Sequence, residues 1–279
     1  MKHITPVDYR DPQAPEKFTQ SILDTGFGVL THHPIPHQLI DELYQEWNSF
    51  FSSNEKLSYT FDPTKQAGYF PFRSENAKDS QVKDLKEFYH FYTWWDNPDS
   101  IMHVTPRYQE SITSLASTLL HWIEQNTPTD VRSLFSCPLS SMIQDSPETL
   151  FRAIHYPPLT GSEEQGAVRA AAHEDINLIT LLPAATNPGL QVLDLSGYWH
   201  DVPCDPGTIV VNSGDMLKEA SGGYYPSTTH RVINPEGEKK GESRLSMPLF
   251  LHPRSEVRLS KRYTASQYLN QRLEELGLK

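Results

Sequence analysis

The amino-acid sequence predicts a mainly β protein with flanking helices, in which an N-terminal helical region precedes a β sandwich or jelly roll. Helical periodicity dominates up to about residue 145, and short apolar segments separated by glycine and proline follow it. With 279 residues, the chain is long enough for one large domain or two small ones. We divide it into residues 1–145, a helical region, and residues 146–279, a jelly-roll core with a C-terminal helix. We expect the two parts to form one structural unit.

The first part of the chain contains three segments with helical spacing. Residues 14–25 have an apolar face and end at Gly26, which suits the left-handed position after a helix. A short strand is predicted next, over residues 27–30. Two more helices are predicted over residues 36–51 and 106–125, because apolar residues recur there every three or four positions.

The second part of the chain has the short apolar segments and intervening turn residues of a β protein. Eight short strands separated by turn signals are typical of a sandwich or jelly roll. They cover residues 150–156, 168–172, 178–182, 190–193, 199–202, 208–211, 228–234 and 244–252. Residues 260–276 return to a helical pattern, with Gly277 as the stop signal.

Composition narrows the range of functions. The formal net charge of −11 and the scattered lysines and arginines argue against nucleic acid as a partner. No apolar stretch is long enough to cross a membrane, and the N-terminus lacks the apolar stretch of a secretory signal. The two cysteines, Cys137 and Cys204, form no disulfide framework and lack metal-ligand spacing. We therefore expect a cytoplasmic protein that acts on a small molecule. The sequence does not indicate an oligomeric state.

The tripeptide His173-Glu174-Asp175 is the most informative one in the sequence. In a strand, side chains two residues apart point to the same face, so His173 and Asp175 are expected to face one point while Glu174 points away. One imidazole and one carboxylate supply two adjacent metal ligands. With a histidine from a distant strand, they form the two-histidine, one-carboxylate triad of non-haem iron(II) oxygenases.

Two later segments complete the pattern. His230, in a predicted strand, is the candidate third ligand. Arg244 and Ser246 lie two residues apart in the last predicted strand and are expected to project together. A guanidinium and a hydroxyl on one face suit the distal carboxylate of a small diacid, because arginine offers a two-pronged donor and serine adds a hydrogen bond.

Together these segments resemble the isopenicillin N synthase-like branch of the 2-oxoglutarate/Fe(II)-dependent dioxygenases. The resemblance runs through His173–Leu182, Gly189-Leu190-Gln191-Val192, Asn212-Ser213-Gly214-Asp215, His230-Arg231-Val232 and Arg244-Leu245-Ser246. It extends to the N-terminal Gly26-Phe27-Gly28-Val29-Leu30 and so covers most of the chain.

The resemblance implies a double-stranded β-helix that holds Fe(II) through His173, Asp175 and His230. It also implies 2-oxoglutarate as cosubstrate, bound by Arg244 and Ser246, with Tyr156 beside it. The expected activity is the hydroxylation or desaturation of a small organic metabolite by O2, with release of succinate and carbon dioxide. Ile154 and His155 replace the asparagine and first tyrosine of the family's Asn-Tyr-Tyr-Pro segment, so a contact made by that asparagine is absent here.

Alternatives remain at this point. An oxidase or cyclase of the same scaffold uses Fe(II) and O2 without 2-oxoglutarate, and isopenicillin N synthase itself keeps an arginine–serine pair. A non-catalytic jelly roll that binds a small molecule is a second alternative, and zinc is another ion that such a site accepts. For Asn212 and Asp215 we predict a turn-capping role. The aromatic residues 87–95 are predicted to lie in the core.

Overall fold

The computed structural model describes residues 4–75 and 82–275 and contains two β-sheets with helices on one side. The helices are α1 Ala14–Thr25, α2 His37–Ser52, α3 Thr105–Gln125, α4 Thr129–Arg132, α5 Leu139–Met142, α6 Asp215–Ala220 and α7 Ala265–Glu275. The strands are β1 Val7–Asp8, β2 Phe27–Thr31, β3 Gly68–Phe70, β4 Glu87–Phe91, β5 Leu150–Tyr156, β6 Ala170–His173, β7 Ile179–Pro183, β8 Leu190–Leu193, β9 Trp199–Asp201, β10 Ile209–Ser213, β11 His230–Val232, β12 Arg244–Ser246 and β13 Leu249–Leu251.

Two sheets face each other and form the predicted jelly roll. The large sheet has the order β1-β2-β10-β7-β13-β5-β4-β3, with β12 also paired to β5, and the small sheet has the order β6-β11-β8-β9. An apolar cluster lies between the sheets and includes Phe27, Val29, Ile154, Tyr156 and Val192. The predicted fold class, a mainly β jelly roll with N-terminal helices, is confirmed.

The helices cover the other face of the large sheet. Helix α1 ends as predicted, because Gly26 has φ +72° and its N–H donates to the Ile22 carbonyl. Side chains of α2 and α3 form one continuous core with the outward residues of β4, β5 and β7. None of the helices in the described residues combines the length and the hydropathy that crossing a bilayer requires. Gly277 lies outside the described residues.

The first 145 residues also contribute strands to the large sheet. Strand β4 pairs with β5, and β2 pairs with β10, so both regions of the chain build the same sheet. All five residues of β4 are buried, which agrees with the prediction of core for most of the aromatic segment. Trp94, beyond the strand, is 47% exposed.

The last predicted strand is divided in two. We predicted one strand over residues 244–252, but β12 and β13 are separated by Met247 and Pro248. Proline has no backbone N–H and therefore interrupts a strand ladder. At this break the Pro248 carbonyl accepts a hydrogen bond from the N–H of Arg152.

Candidate metal centre

Three of the predicted residues meet at one end of the space between the sheets. His173 ends β6, His230 begins β11, and the two are direct partners in the antiparallel register. The Asp175 Oδ1 atom lies 3.8 Å from His173 Nε2 and 3.7 Å from His230 Nε2. Atoms at these separations can share one ion at the usual ligand distances of about 2.1 Å. Among the described residues, His173, Asp175 and His230 form a group whose ligand atoms all lie within 4.8 Å of one another, close enough to hold a metal ion.

Asp175 reaches this point from a loop, so our placement of His173 and Asp175 on one strand was wrong. Strand β6 ends at His173, and the chain then turns against the start of α6. The carbonyl of Asp175 accepts a hydrogen bond from the Asp215 N–H, and the carbonyl of Ile176 accepts one from Met216. Gly214 makes this contact possible, because a Cβ there would lie 2.3 Å from the Asn177 carbonyl oxygen.

Backbone carbonyl groups fix the orientation of both imidazoles. His173 Nδ1 lies 2.8 Å from the Ala171 carbonyl oxygen, and His230 Nδ1 lies 3.1 Å from that of Thr228. A carbonyl oxygen only accepts hydrogen bonds, so each Nδ1 carries the proton and each Nε2 directs its lone pair into the space that it shares with Asp175 Oδ1. This is the arrangement in which histidine binds a metal. Burial and the neighbouring His230 also hold the pKa of His173 below its usual value, which favours the neutral form.

The carboxylate of Asp175 is held through its other oxygen. Asp175 Oδ2 accepts hydrogen bonds from Thr180 Oγ1 at 2.5 Å and from Asn212 Nδ2 at 2.8 Å. Asn177 Nδ2 donates in turn to Thr180 Oγ1 at 3.0 Å. Burial raises the pKa of Asp175, whereas the hydrogen bonds from Thr180 and Asn212 lower it and stabilise the ionised carboxylate. Oδ1 is left to face the histidines.

Asn212 was assigned a turn-capping role, and that assignment was wrong. It lies within β10 opposite Thr180 of β7, and both side chains point to Asp175. Their partnership depends on the pairing of two strands that are distant in sequence. Asp215 is the first residue of α6.

Arg244, Ser246 and Tyr156 lie on adjacent strands of the large sheet. Arg244 is paired with Tyr156 and Ser246 with Ile154, and all four residues are buried. The guanidinium carbon of Arg244 lies 5.2 Å from the centre of the Tyr156 ring. Arg244 Nε donates to the Asn187 carbonyl at 2.8 Å, whereas Nη1 is buried and has no hydrogen-bond partner in the described residues. An unpartnered buried guanidinium N–H is a donor for an anionic ligand.

Comparisons with known proteins agree with this architecture. The sequence pattern of the 2OG-Fe(II) oxygenase superfamily matches residues 147–253, and that of the N-terminal region of non-haem dioxygenases in morphine synthesis matches residues 5–111. The chain is 30% identical to a protein assigned as an iron/ascorbate oxidoreductase in Dictyostelium discoideum, over 82% of this chain and 72% of that protein. It is 26% identical to a 2-oxoglutarate-dependent dioxygenase of Didymella fabae, over 92% of this chain and 84% of that one.

A solved structure extends the likeness to the whole chain. A Shewanella oneidensis protein assigned as an oxygenase is 51% identical and superposes with a TM-score of 0.90, over 99% of each chain. The expected family, its iron and its 2-oxoglutarate cosubstrate are thereby confirmed. The chain belongs to the 2OG-Fe(II) oxygenase superfamily and is an iron- and 2-oxoglutarate-dependent oxidoreductase.

Proposed function

We propose that this enzyme hydroxylates or desaturates a small organic metabolite, with Fe(II) held by His173, Asp175 and His230. The observation that carries the proposal is the convergence of two oriented Nε2 atoms and one free carboxylate oxygen. Three ligands on one side of an ion leave its remaining positions open for a 2-oxo acid and O2. Bound there, the iron supplies the redox chemistry by which O2 converts 2-oxoglutarate to succinate and carbon dioxide and oxidises the substrate.

The residues of the chain contribute position, charge and exclusion of water. Asp175 and His230 are buried, whereas the side chain of His173 is 39% exposed, so the protein shields two of the proposed ligands and leaves the site open to solvent at the third. Phe27 packs its ring edge-on against His230 at a centroid distance of 5.6 Å and limits movement of that imidazole. Rigid support of this kind holds metal ligands in their productive geometry.

Arg244, Ser246 and Tyr156 are the proposed binding residues for 2-oxoglutarate. Arg244 supplies a positive charge and a free N–H, and Ser246 projects from the same face of β12. Tyr156 packs beneath the guanidinium and keeps it in place. We propose that the C5 carboxylate binds to the arginine and serine, which directs the 2-oxo acid end of the molecule toward the metal.

Titration of the Fe(II)-loaded protein with 2-oxoglutarate under anaerobic conditions tests this function. We expect a visible charge-transfer band that saturates with one 2-oxoglutarate per iron, because the 2-oxo acid chelates the metal. Metabolites are then screened for stimulated succinate release in the presence of O2. A protein that binds Fe(II) stoichiometrically and forms no band would instead be an oxidase that uses O2 without 2-oxoglutarate.

Thr180→Val is expected to weaken Fe(II) binding. The valine keeps the shape of the side chain but removes the hydroxyl that donates to Asp175 Oδ2. It also removes one of the two acceptors of Asn177 Nδ2, which keeps its hydrogen bond to the Ile179 carbonyl. Partners of this kind contribute about 10- to 100-fold to metal affinity. The measurement is competition with a metal-sensitive dye under anaerobic conditions. Thr208→Val is the matched control, because that buried hydroxyl donates to the Asp205 carbonyl and should leave metal affinity unchanged.

The substrate is proposed to be a small molecule rather than a nucleic acid, which is supported by the net charge of −11. We also propose a cytoplasmic location. The two cysteines of the chain, Cys137 and Cys204, are both free, as is usual in a reducing compartment.

A further inference from the structure

Two buried guanidinium groups approach a single tyrosine ring between the sheets. Arg169 directly precedes β6 of the small sheet, and Arg244 lies on β12 of the large sheet. Each residue is only 1% exposed. The guanidinium carbon of Arg169 lies 5.8 Å from the centre of the Tyr156 ring, and that of Arg244 lies 5.2 Å from it. The two side chains therefore reach the same part of the interior from opposite sheets.

Neither guanidinium has its hydrogen-bonding capacity or its charge satisfied by the protein. Arg169 Nη2 donates to the Glu242 carbonyl at 2.9 Å, but its Nε is buried without a partner. Arg244 is in the same condition, with Nε bonded to a carbonyl and Nη1 without a partner. Within residues 4–75 and 82–275, both arginines contact backbone carbonyl groups, and neither forms an ion pair with a carboxylate.

A third buried cation, Lys86, is paired with carboxylates, unlike the two arginines. Lys86 Nζ lies 2.7 Å from Glu75 Oε2 and 2.8 Å from Asp84 Oδ2, so two carboxylates compensate it. A buried charge without such a partner is costly. Burial and the proximity of Arg244 lower the pKa of Arg169 to about 10, which reflects that cost. Two buried cations that lack carboxylate partners and lie close together provide a binding site for an anionic ligand.

We propose that Arg169 is a second cationic anchor for the distal carboxylate of 2-oxoglutarate. The inference rests on the proposed role of Arg244, because both guanidiniums would bind the same ligand group. A carboxylate has two oxygens with about four acceptor sites, enough for Arg169, Arg244 and Ser246 together. Arg169 thereby favours a 2-oxo acid with a distal carboxylate over one that ends in a methyl group. Arg169 is four residues from His173, so one short segment carries both a proposed iron ligand and a proposed binding residue for the cosubstrate.

Two related 2-oxo acids separate this role from a purely structural one. 2-Oxoglutarate and 2-oxopentanoate have the same chain length and the same chelating end, but the second has a methyl group in place of the distal carboxylate. Their dissociation constants are measured by anaerobic calorimetry on the Fe(II)-loaded protein. Arg169→Gln is expected to weaken 2-oxoglutarate binding by roughly 10- to 100-fold, the usual contribution of a charge-assisted hydrogen bond. Its affinity for 2-oxopentanoate should change by less than about twofold.

Two further variants guard against a general loss of structure. Arg169→Lys keeps the charge and should show a smaller, still selective, loss for 2-oxoglutarate. Arg254→Gln also removes a guanidinium that donates to backbone carbonyls, those of Ser141 and Gln144, and should leave both affinities unchanged. Equal weakening of both ligands in the Arg169 variants, or 2-oxoglutarate affinity within twofold of wild type, overturns the proposal. A wild-type protein that binds no 2-oxoglutarate overturns the proposed function as well.

Discussion

Asp175→Ala is expected to abolish Fe(II) binding and turnover while the protein stays folded. The substitution removes one of the three proposed ligands and the oxygen nearest to both Nε2 atoms. We expect metal affinity to fall by more than about 100-fold, since loss of a mere partner of a ligand already costs up to that amount. Anaerobic Fe(II) titration and metal analysis after desalting measure the first effect, and succinate release measures the second.

The fold should survive because the lost contacts are few. Thr180 and Asn212 would each lose an acceptor, and an unsatisfied buried donor costs about 1–3 kcal/mol. The apo protein should therefore melt roughly 5–15 °C below wild type, with an unchanged circular dichroism spectrum at room temperature.

Glu174→Ala is the matched control for this variant. Glu174 is the neighbouring carboxylate, lies exposed and hydrogen-bonds to Thr229 rather than to the histidines. It should keep full metal affinity and turnover. Retention of stoichiometric iron by Asp175→Ala would show that the assigned ligand set is wrong.

The sequence predicted the elements whose residues carry a local signal. Helix α1 has an apolar face and a terminal glycine, and both of its ends agree with the prediction. Strands β5 and β8 also agree at both ends, because turn residues bound them. Strand β4 had no comparable signal: every residue in it is buried, so apolar and polar positions do not alternate.

The residues of the candidate site could be predicted from the sequence where they lie in short motifs. His173-x-Asp175 and Arg244-x-Ser246 are such motifs, although the first is a strand end with a loop rather than a strand. The supporting residues Thr180 and Asn212 could not be predicted, because they come together only through the register of β7 and β10. No single sequence establishes that register.

Arg169 was overlooked because an isolated arginine is usually a surface residue. One signal was present in its spacing. Arg169, Ala171 and His173 alternate along one segment, which gives Arg169 the same parity as the proposed iron ligand. That signal is weak, because the register of β6 shifts opposite β11 and Ala170, at the other parity, is buried between the sheets as well.

Arg244→Ala is expected to have the second large effect, on 2-oxoglutarate binding rather than on metal binding. The variant removes a buried charge and the donor with the free Nη1, so the dissociation constant for 2-oxoglutarate should rise by about 100-fold or more. Fe(II) affinity should remain that of wild type. Arg244→Lys keeps the charge but cannot reproduce the planar fork or the hydrogen bond to Asn187, so it should recover only part of the loss. Wild-type 2-oxoglutarate affinity in Arg244→Ala would exclude this arginine as the anchor.

The double variant of Arg169 and Arg244 decides whether the two residues bind one carboxylate. Mutations at independent sites have additive effects on binding free energy, whereas residues that share a partner do not. If both guanidiniums hold the C5 carboxylate, that group loses its specific position once Arg244 is gone. Arg169→Gln should then cost much less in the Arg244→Ala background than in the wild type. Additive losses would instead mean that Arg169 acts on a different part of the ligand, and they would separate the two arginines despite their common contact with Tyr156.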